Sequence, residues 1–167
     1  MKYFLLFLLV PVLFLGCKKD KEARVDIFLL RSFTVFNDPS TVPAAVKITN
    51  AVLESQPLVS DRDIATYKLS TSTFTLRKDI KSIIKDFSTD KAFAVTVNRQ
   101  PVYFGLFHPS YLSSMSIGIA TIDPFLYNNN ELPIQFVNLT GVAVLHPFDK
   151  RNDDLIINAF KASNRLR

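Results

Sequence analysis

Cys17 is the single cysteine of a 167-residue chain, and what precedes it gives its thiol a specific chemistry. Met1-Lys2 makes a short positive start, Tyr3 to Leu15 is an unbroken apolar run, and Gly16 stands directly before the thiol. A bilayer core of about 30 Å needs roughly 20 apolar residues to cross it, so this run is too short to anchor by itself. The order basic, apolar, small, cysteine predicts a secretory leader over residues 1–16 that is removed before Cys17. The freed amine and the thiol can then both take acyl chains, and two chains make a stable membrane hold where one does not.

The remaining chemistry-bearing residues are sparse. His108 and His146 each precede a proline and follow a strand candidate, so neighbouring strands would bring the two imidazoles to one sheet end. Two imidazoles without a positioned carboxylate make a poor metal site, and the simpler reading is two strand-terminating polar residues. Ser110, Ser113, Ser114 and Ser116 crowd the loop after Phe107. A hydrolase would use His108 as base and Ser110, Ser113 or Ser114 as nucleophile, but the segment lacks a G-x-S-x-G elbow. Turn and strand-edge hydrogen bonding accounts for the same serines. Asp149, Asn152, Asp153 and Asp154 form the densest acidic cluster. It has neither the alternating oxygen ligands nor the glycine of a calcium loop, and helix capping explains it. Four scattered glycines exclude a phosphate-binding loop. The expectation is therefore no catalytic residue, no metal and no cofactor.

Val25 to Phe36 predicts a central strand buried on much of both faces, followed by a turn at Asn37-Asp38-Pro39-Ser40. Val42 to Glu54 fits neither the helical nor the strand period. Pro57 to Asp63 predicts a loop entering a short helix, with Ser60 and Asp63 in capping-box positions and Ile64 and Tyr67 on its apolar face. Thr71 to Thr75 predicts a short strand around Phe74. Leu76, Ile80, Ile83, Ile84 and Phe87 recur at helical spacing, predicting a helix capped by Thr75 with that stripe buried. Alternation about Asn98-Arg99-Gln100-Pro101 predicts a hairpin of Ala92–Val97 with Val102–Phe107. Further strands are expected over Ile117–Ile122, Leu132–Val137 and Val142–Leu145. Asn152 should cap a last helix whose buried stripe is Leu155, Ile156, Ala159 and Phe160. These elements predict a single α+β domain over 25–167, a largely antiparallel sheet with two main helices, joined to Cys17 by a charged tether over 17–24.

Composition narrows the partners. The formal charge of +5 becomes +4 when Lys2 leaves with the leader, and Lys18, Lys19 and Lys21 concentrate some of it beside the anchor. Such a cluster suits a solvated tether near anionic headgroups. No basic stripe interleaves with aromatics, so nucleic acid is not an expected partner. With one cysteine no disulfide can form inside the domain, and apolar burial must hold the fold.

Leu13-Phe14-Leu15-Gly16-Cys17 resembles the lipobox of bacterial lipoproteins, with Phe14-Leu15 bulkier than usual before the small residue. The resemblance implies acylation at Cys17 and residence in the bacterial envelope. Lys18 stands where inner-membrane retention uses Asp, so the outer membrane is expected, on its periplasmic or surface face. Residues 57–122 also resemble part of the first periplasmic domain of the SecD/SecDF translocation subunits. Asp63-Ile64-Ala65, Thr73-Phe74-Thr75-Leu76 and the hairpin from Ala92 to Tyr103 carry that likeness, with Asn98-Arg99 where the family has Asp-Gly. It implies a fold fragment and brings neither catalytic residues nor translocase membrane helices. The function expected is a non-enzymatic binding or accessory lipoprotein, held to the membrane by its lipid and contacting an envelope protein. An inhibitor or immunity role is a special case, and a small hydrolase is the alternative. The expected contact surface is Tyr103, Phe107, His108, Tyr111 and Met115.

Overall fold

The computed structural model describes residues 23–137 and 147–167. Cys17, the strand candidate Val142–Leu145 and His146 lie outside the described residues.

The spine of the molecule is β1 (Val25–Asp38). Its first part, rich in β-branched and aromatic residues, pairs antiparallel through Val25–Leu29 with β5 (Ala92–Val97). From Leu30 onward it pairs antiparallel with β2 (Ala45–Leu53), the stretch whose periodicity was ambiguous. Burial follows that change of partner. The first half of β1 is closed on both faces, as its apolar doublets predict, whereas most of Arg31–Asn37 is exposed.

β5 turns into β6 (Gln100–Phe107) through Asn98 and Arg99, at φ 51° and 65°. This is a two-residue turn with both centres left-handed, the hand that matches strand twist. β7 (Ala120–Ile122) joins β6 in parallel and β9 (Gln135–Phe136) joins β7 antiparallel. The resulting order is β2-β1-β5-β6-β7-β9. A second sheet of order β3-β4-β8 contains β3 (Ile64–Lys68), β4 (Thr73–Leu76) and β8 (Glu131–Pro133). With α1 (Lys81–Ile84) and α2 (Asp154–Ala162), the fold is α+β and largely antiparallel.

The two helices differ from expectation in extent. The predicted 76–87 helix is a single turn, because Leu76 and Thr75 belong to β4. Ile80 and Ile84 are buried, Phe87 is half-buried after the turn, and Ile83 is 51% exposed. The predicted helix around Ile64 and Tyr67 is one 3-10 turn, Asp61–Asp63, running straight into β3. The predicted capping box of Ser60 and Asp63 is present, and the Asp63 carboxylate accepts from both the backbone N–H and the hydroxyl of Ser60. At α2 the cap is Asp153, whose Oδ1 accepts from Leu155 N at 3.1 Å, one residue later than Asn152. Ile156, Ala159 and Phe160 are buried, and Leu155 is exposed.

One face of the large sheet packs against the second sheet and both helices. Tyr67, Phe74 and Phe160 meet there with centroids 4.7–6.0 Å apart. Phe93 and Phe107 continue the same core edge-to-face at 5.7 Å. Gly105 makes this possible. It lies opposite Phe93, and a Cβ there would meet the Phe93 ring at 2.2 Å and Ala120 O at 2.6 Å. The other face carries a smaller aliphatic core of Leu30, Ala92, Ala94, Leu106 and Ile119, with Val46 and Ile48 of β2 against it. Val46 N donates to Ile117 O at 2.9 Å, so β2 returns to the segment leading into β7 and the sheet curls over this core.

Candidate functional site

Two surfaces lie at opposite ends of β6. At its far end, Phe107 passes into the serine-rich loop. His108 N donates to Ile122 O at 2.8 Å, fixing the loop's start to β7. The His108 ring closes the loop on itself: Nε2 is 2.8 Å from Ser114 O and Nδ1 is 3.0 Å from Ser116 Oγ. A carbonyl only accepts, so Nε2 carries the proton and Nδ1 accepts from the Ser116 hydroxyl. Both ring nitrogens are thereby engaged within the loop. The hydroxyls of Ser110, Ser113 and Ser114, the expected nucleophile candidates, are not its partners, and the serine that does touch it, Ser116, is buried.

Of the expected contact residues, Tyr111 and Met115 are exposed, at 67% and 59%, and His108 is half-buried. Tyr103 and Phe107 are buried and leave the candidate surface. β6 is covered on both faces, so Tyr103 and Phe107 turn into the aromatic core while Phe104 and Leu106 pack against the curled one. The Tyr103 hydroxyl is buried without a hydrogen-bond partner among the described residues, and burial holds its pKa well above that of a free tyrosine. A residue the sequence did not single out joins the surface instead. Phe125 is exposed and lies edge-to-face on Tyr111 at 5.5 Å. Buried Asp123 fixes its turn by accepting from Phe125 N at 2.9 Å. Tyr111 and Phe125 thus form an outward-facing aromatic pair on two anchored loops.

At the near end of β6, beside the Asn98-Arg99 turn, is a polar cleft of about 530 Å³. Four cations line it, Arg24, Arg62, Lys78 and Arg99, against two carboxylates, Asp26 and Asp63. Asp26 is buried and accepts from Asp61 N at 2.8 Å. Asp63 accepts from Ser60 and pairs with Lys78 at 2.9 Å, and the Ser60 hydroxyl leads the contacts that hold its pKa below the usual carboxylate range. Neighbouring Asp61 is consumed by Arg165 at 2.7 Å and by Val25 N at 2.9 Å. The arginines 24, 62 and 99 are exposed and form no ion pair among the described residues. No spacing in the sequence signals this cleft, because its charges come from four separate elements.

The acidic cluster resolves into local structure. Asp149 grips Arg151 through both carboxylate oxygens, Asn152 Oδ1 lies 2.9 Å from the Tyr67 hydroxyl, and Asp153 caps α2. Among the described residues no three His, Cys, Asp or Glu side chains converge as metal ligands. No protein-family profile matches the chain, and no curated protein or solved structure is significantly similar to it.

Proposed function

We propose that the chain is a lipid-anchored, extracytoplasmic binding or accessory protein of the bacterial envelope, placed at the outer membrane and acting without catalysis. The anchor rests on the order of residues from Met1 to Cys17. The observation that carries the binding role is the exposed Tyr111–Phe125 pair, held on loops whose ends are fixed by His108 and Asp123. Rigid exposed aromatics are the side chains that dominate protein interfaces, because they supply large contact area at small entropic cost. The hydroxyls of Ser110, Ser113 and Ser114 make no bond to His108, and its contacts with Ser114 O and Ser116 Oγ close the loop, which supports the binding reading over the hydrolase alternative.

The test separates the parts of this reading. Cys17→Ser should release a soluble form or leave an uncleaved precursor; a variant still membrane-bound at the processed size overturns the anchor. Among variants with wild-type melting, Tyr111→Asp should abolish a cellular phenotype of the protein, and Ser110, Ser113 and Ser114→Ala together should leave it intact. The reverse pattern would favour the enzyme, since loss of a nucleophile costs orders of magnitude in rate.

A further inference from the structure

We propose that the cationic cleft at the start of β1 is a phosphate site for anionic lipid headgroups, which seats the domain on its own membrane. This rests on the lipid-anchor reading above for its geometry, though not for its chemistry. The cleft is concave, about 530 Å³, and rich in donors. Its carboxylates are turned inward onto Ser60, Lys78 and backbone N–H groups, whereas three arginines are left without an anionic partner among the described residues. Guanidinium groups that outnumber the carboxylates beside them are suited to the planar, two-oxygen face of a phosphate.

Two observations bear on the ligand, and the first favours a lipid over a free anion. The first is position. Arg24 lines the cleft and is seven residues after Cys17, a span of at most about 25 Å even when fully extended. A chain acylated at Cys17 therefore cannot carry this cleft far from the headgroups. The mouth is also tied to that entry point, since Arg24 N donates to Asn98 Oδ1 at 3.0 Å and Asn98 N to Arg24 O at 2.8 Å. The second is backbone strain. Arg99 sits at φ 65°, a conformation that favours glycine, yet it carries a long cationic side chain steered over the Phe28 ring at 5.0 Å. Phe28 also lines the cleft, so this contact holds the Arg99 guanidinium on its wall.

The consequence is an orientation. β6 rises about 3.3 Å per residue, so Gln100–Phe107 separates the cleft end from the His108 loop by about 25 Å. With the cleft against the headgroups, Tyr111 and Phe125 point away from the bilayer toward a partner.

The full-length chain, purified in a neutral detergent, is titrated with short-chain phosphatidylglycerol, with matched phosphatidylcholine and with inorganic phosphate, and thermal melting is followed at low and high salt. Phosphatidylglycerol should raise the melting temperature at low salt and lose that effect at high salt, and phosphatidylcholine should do nothing. Arg62→Gln and Arg99→Gly should each weaken the response roughly five-fold, as about one surface cation per lipid contact predicts. Glycine suits the turn at position 99, so that variant should melt no lower than wild type without lipid. An equal response to inorganic phosphate, a response unchanged in both arginine variants, or one abolished instead by changing Lys18, Lys19 and Lys21 to Gln would each overturn the proposal. The titration does not need acylation. A failed anchor is read from Cys17→Ser fractionation, and a failed cleft from the titration.

Discussion

The two faces of the six-stranded sheet solve the burial problem differently. One is covered by a second sheet and α2, and large rings fill the gap: Tyr67, Phe74, Phe93, Phe107 and Phe160. The other is covered by the sheet's own curl, with β2 brought back to Ile117, and its buried positions are Ala92, Ala94, Leu30, Leu106 and Ile119. Two layers stacked face to face stand about 10 Å apart, which suits aromatic side chains. A sheet bent over itself leaves less room on its concave side, which suits alanine and branched aliphatics. The difference holds for the middle of the curled face, while the rings of Phe28, Phe33 and Phe104 flank it there, so the cover sets side-chain size locally rather than across a whole face. β5 shows it within one element: Phe93, Val95 and Val97 face the aromatic core and Ala92 and Ala94 face the curl.

Truncation on the aromatic face should give the largest effect. Phe160→Ala removes a fully buried ring from the Tyr67–Phe74 cluster and should cost about 3–5 kcal/mol in denaturant unfolding. A loss under 1 kcal/mol would mean that the second sheet and α2 close over the gap, and that this face is not the rigid one. Enlargement on the curled face should come next. Ala94→Leu should cost about 1–3 kcal/mol through overpacking, because Ala94 is fully buried opposite Phe28 and Phe104. Stabilisation by that substitution would show the curled core to be underfilled.

A smaller effect of opposite sign is expected at Tyr103. Its hydroxyl is buried and unpartnered among the described residues, so it has lost water without gaining a hydrogen bond. Tyr103→Phe should keep the ring against Phe93, where the centroids are 6.5 Å apart, and should raise stability by about 1 kcal/mol. Loss of stability would reveal a bound water or a partner at that oxygen.

What the sequence made legible follows from the same contrast. β1, the β5–β6 hairpin and α2 were readable because each carries its own period or turn chemistry over enough residues. The 76–87 stripe misled because its members come from different elements. Leu76 points inward from β4, Ile80 and Ile84 from a single helical turn, and Phe87 from beyond it, so one core collects them at spacings that mimic a helix. The candidate surfaces divide likewise. Tyr111 and Met115 were visible as aromatic and thioether side chains in a serine-rich loop. Phe125 becomes Tyr111's neighbour only through the parallel pairing of β6 with β7. The cleft was invisible because Arg24, Arg62, Lys78 and Arg99 each read as solvated charge, and only strand pairing gathers them.

The smallest effect should appear in acid, and on one face only. Asp38 ends β1 and meets Lys47 of β2 in an ion pair, while Ser40 donates to its carboxylate through its hydroxyl at 2.7 Å and its backbone N–H at 2.9 Å. Lys47 and Ser40 together lower its pKa from 3.8 to about 2. A carboxylate with a depressed folded-state pKa contributes fully above its unfolded value and loses that contribution as pH falls through the folded one. The contact should therefore be intact above about pH 4 and lost as pH approaches 2. Lys47 also lies over Phe148 at 4.9 Å, and this contact sits on β2, the strand that closes the curled face, whereas the lowered carboxylate of the other layer, Asp63, stands at the entry to β3, outside β4 and β5. Exposed pairs are individually weak, so global unfolding should shift little. Hydrogen-exchange protection of the β2 amides should nevertheless fall between pH 4 and 2.5 while that of β4 and β5 holds. Asp38→Asn should flatten the difference, with β2 equally protected at both pH values. Uniform loss of protection across both sheets would show that the two faces open together, and that the curl is not a separately closed layer.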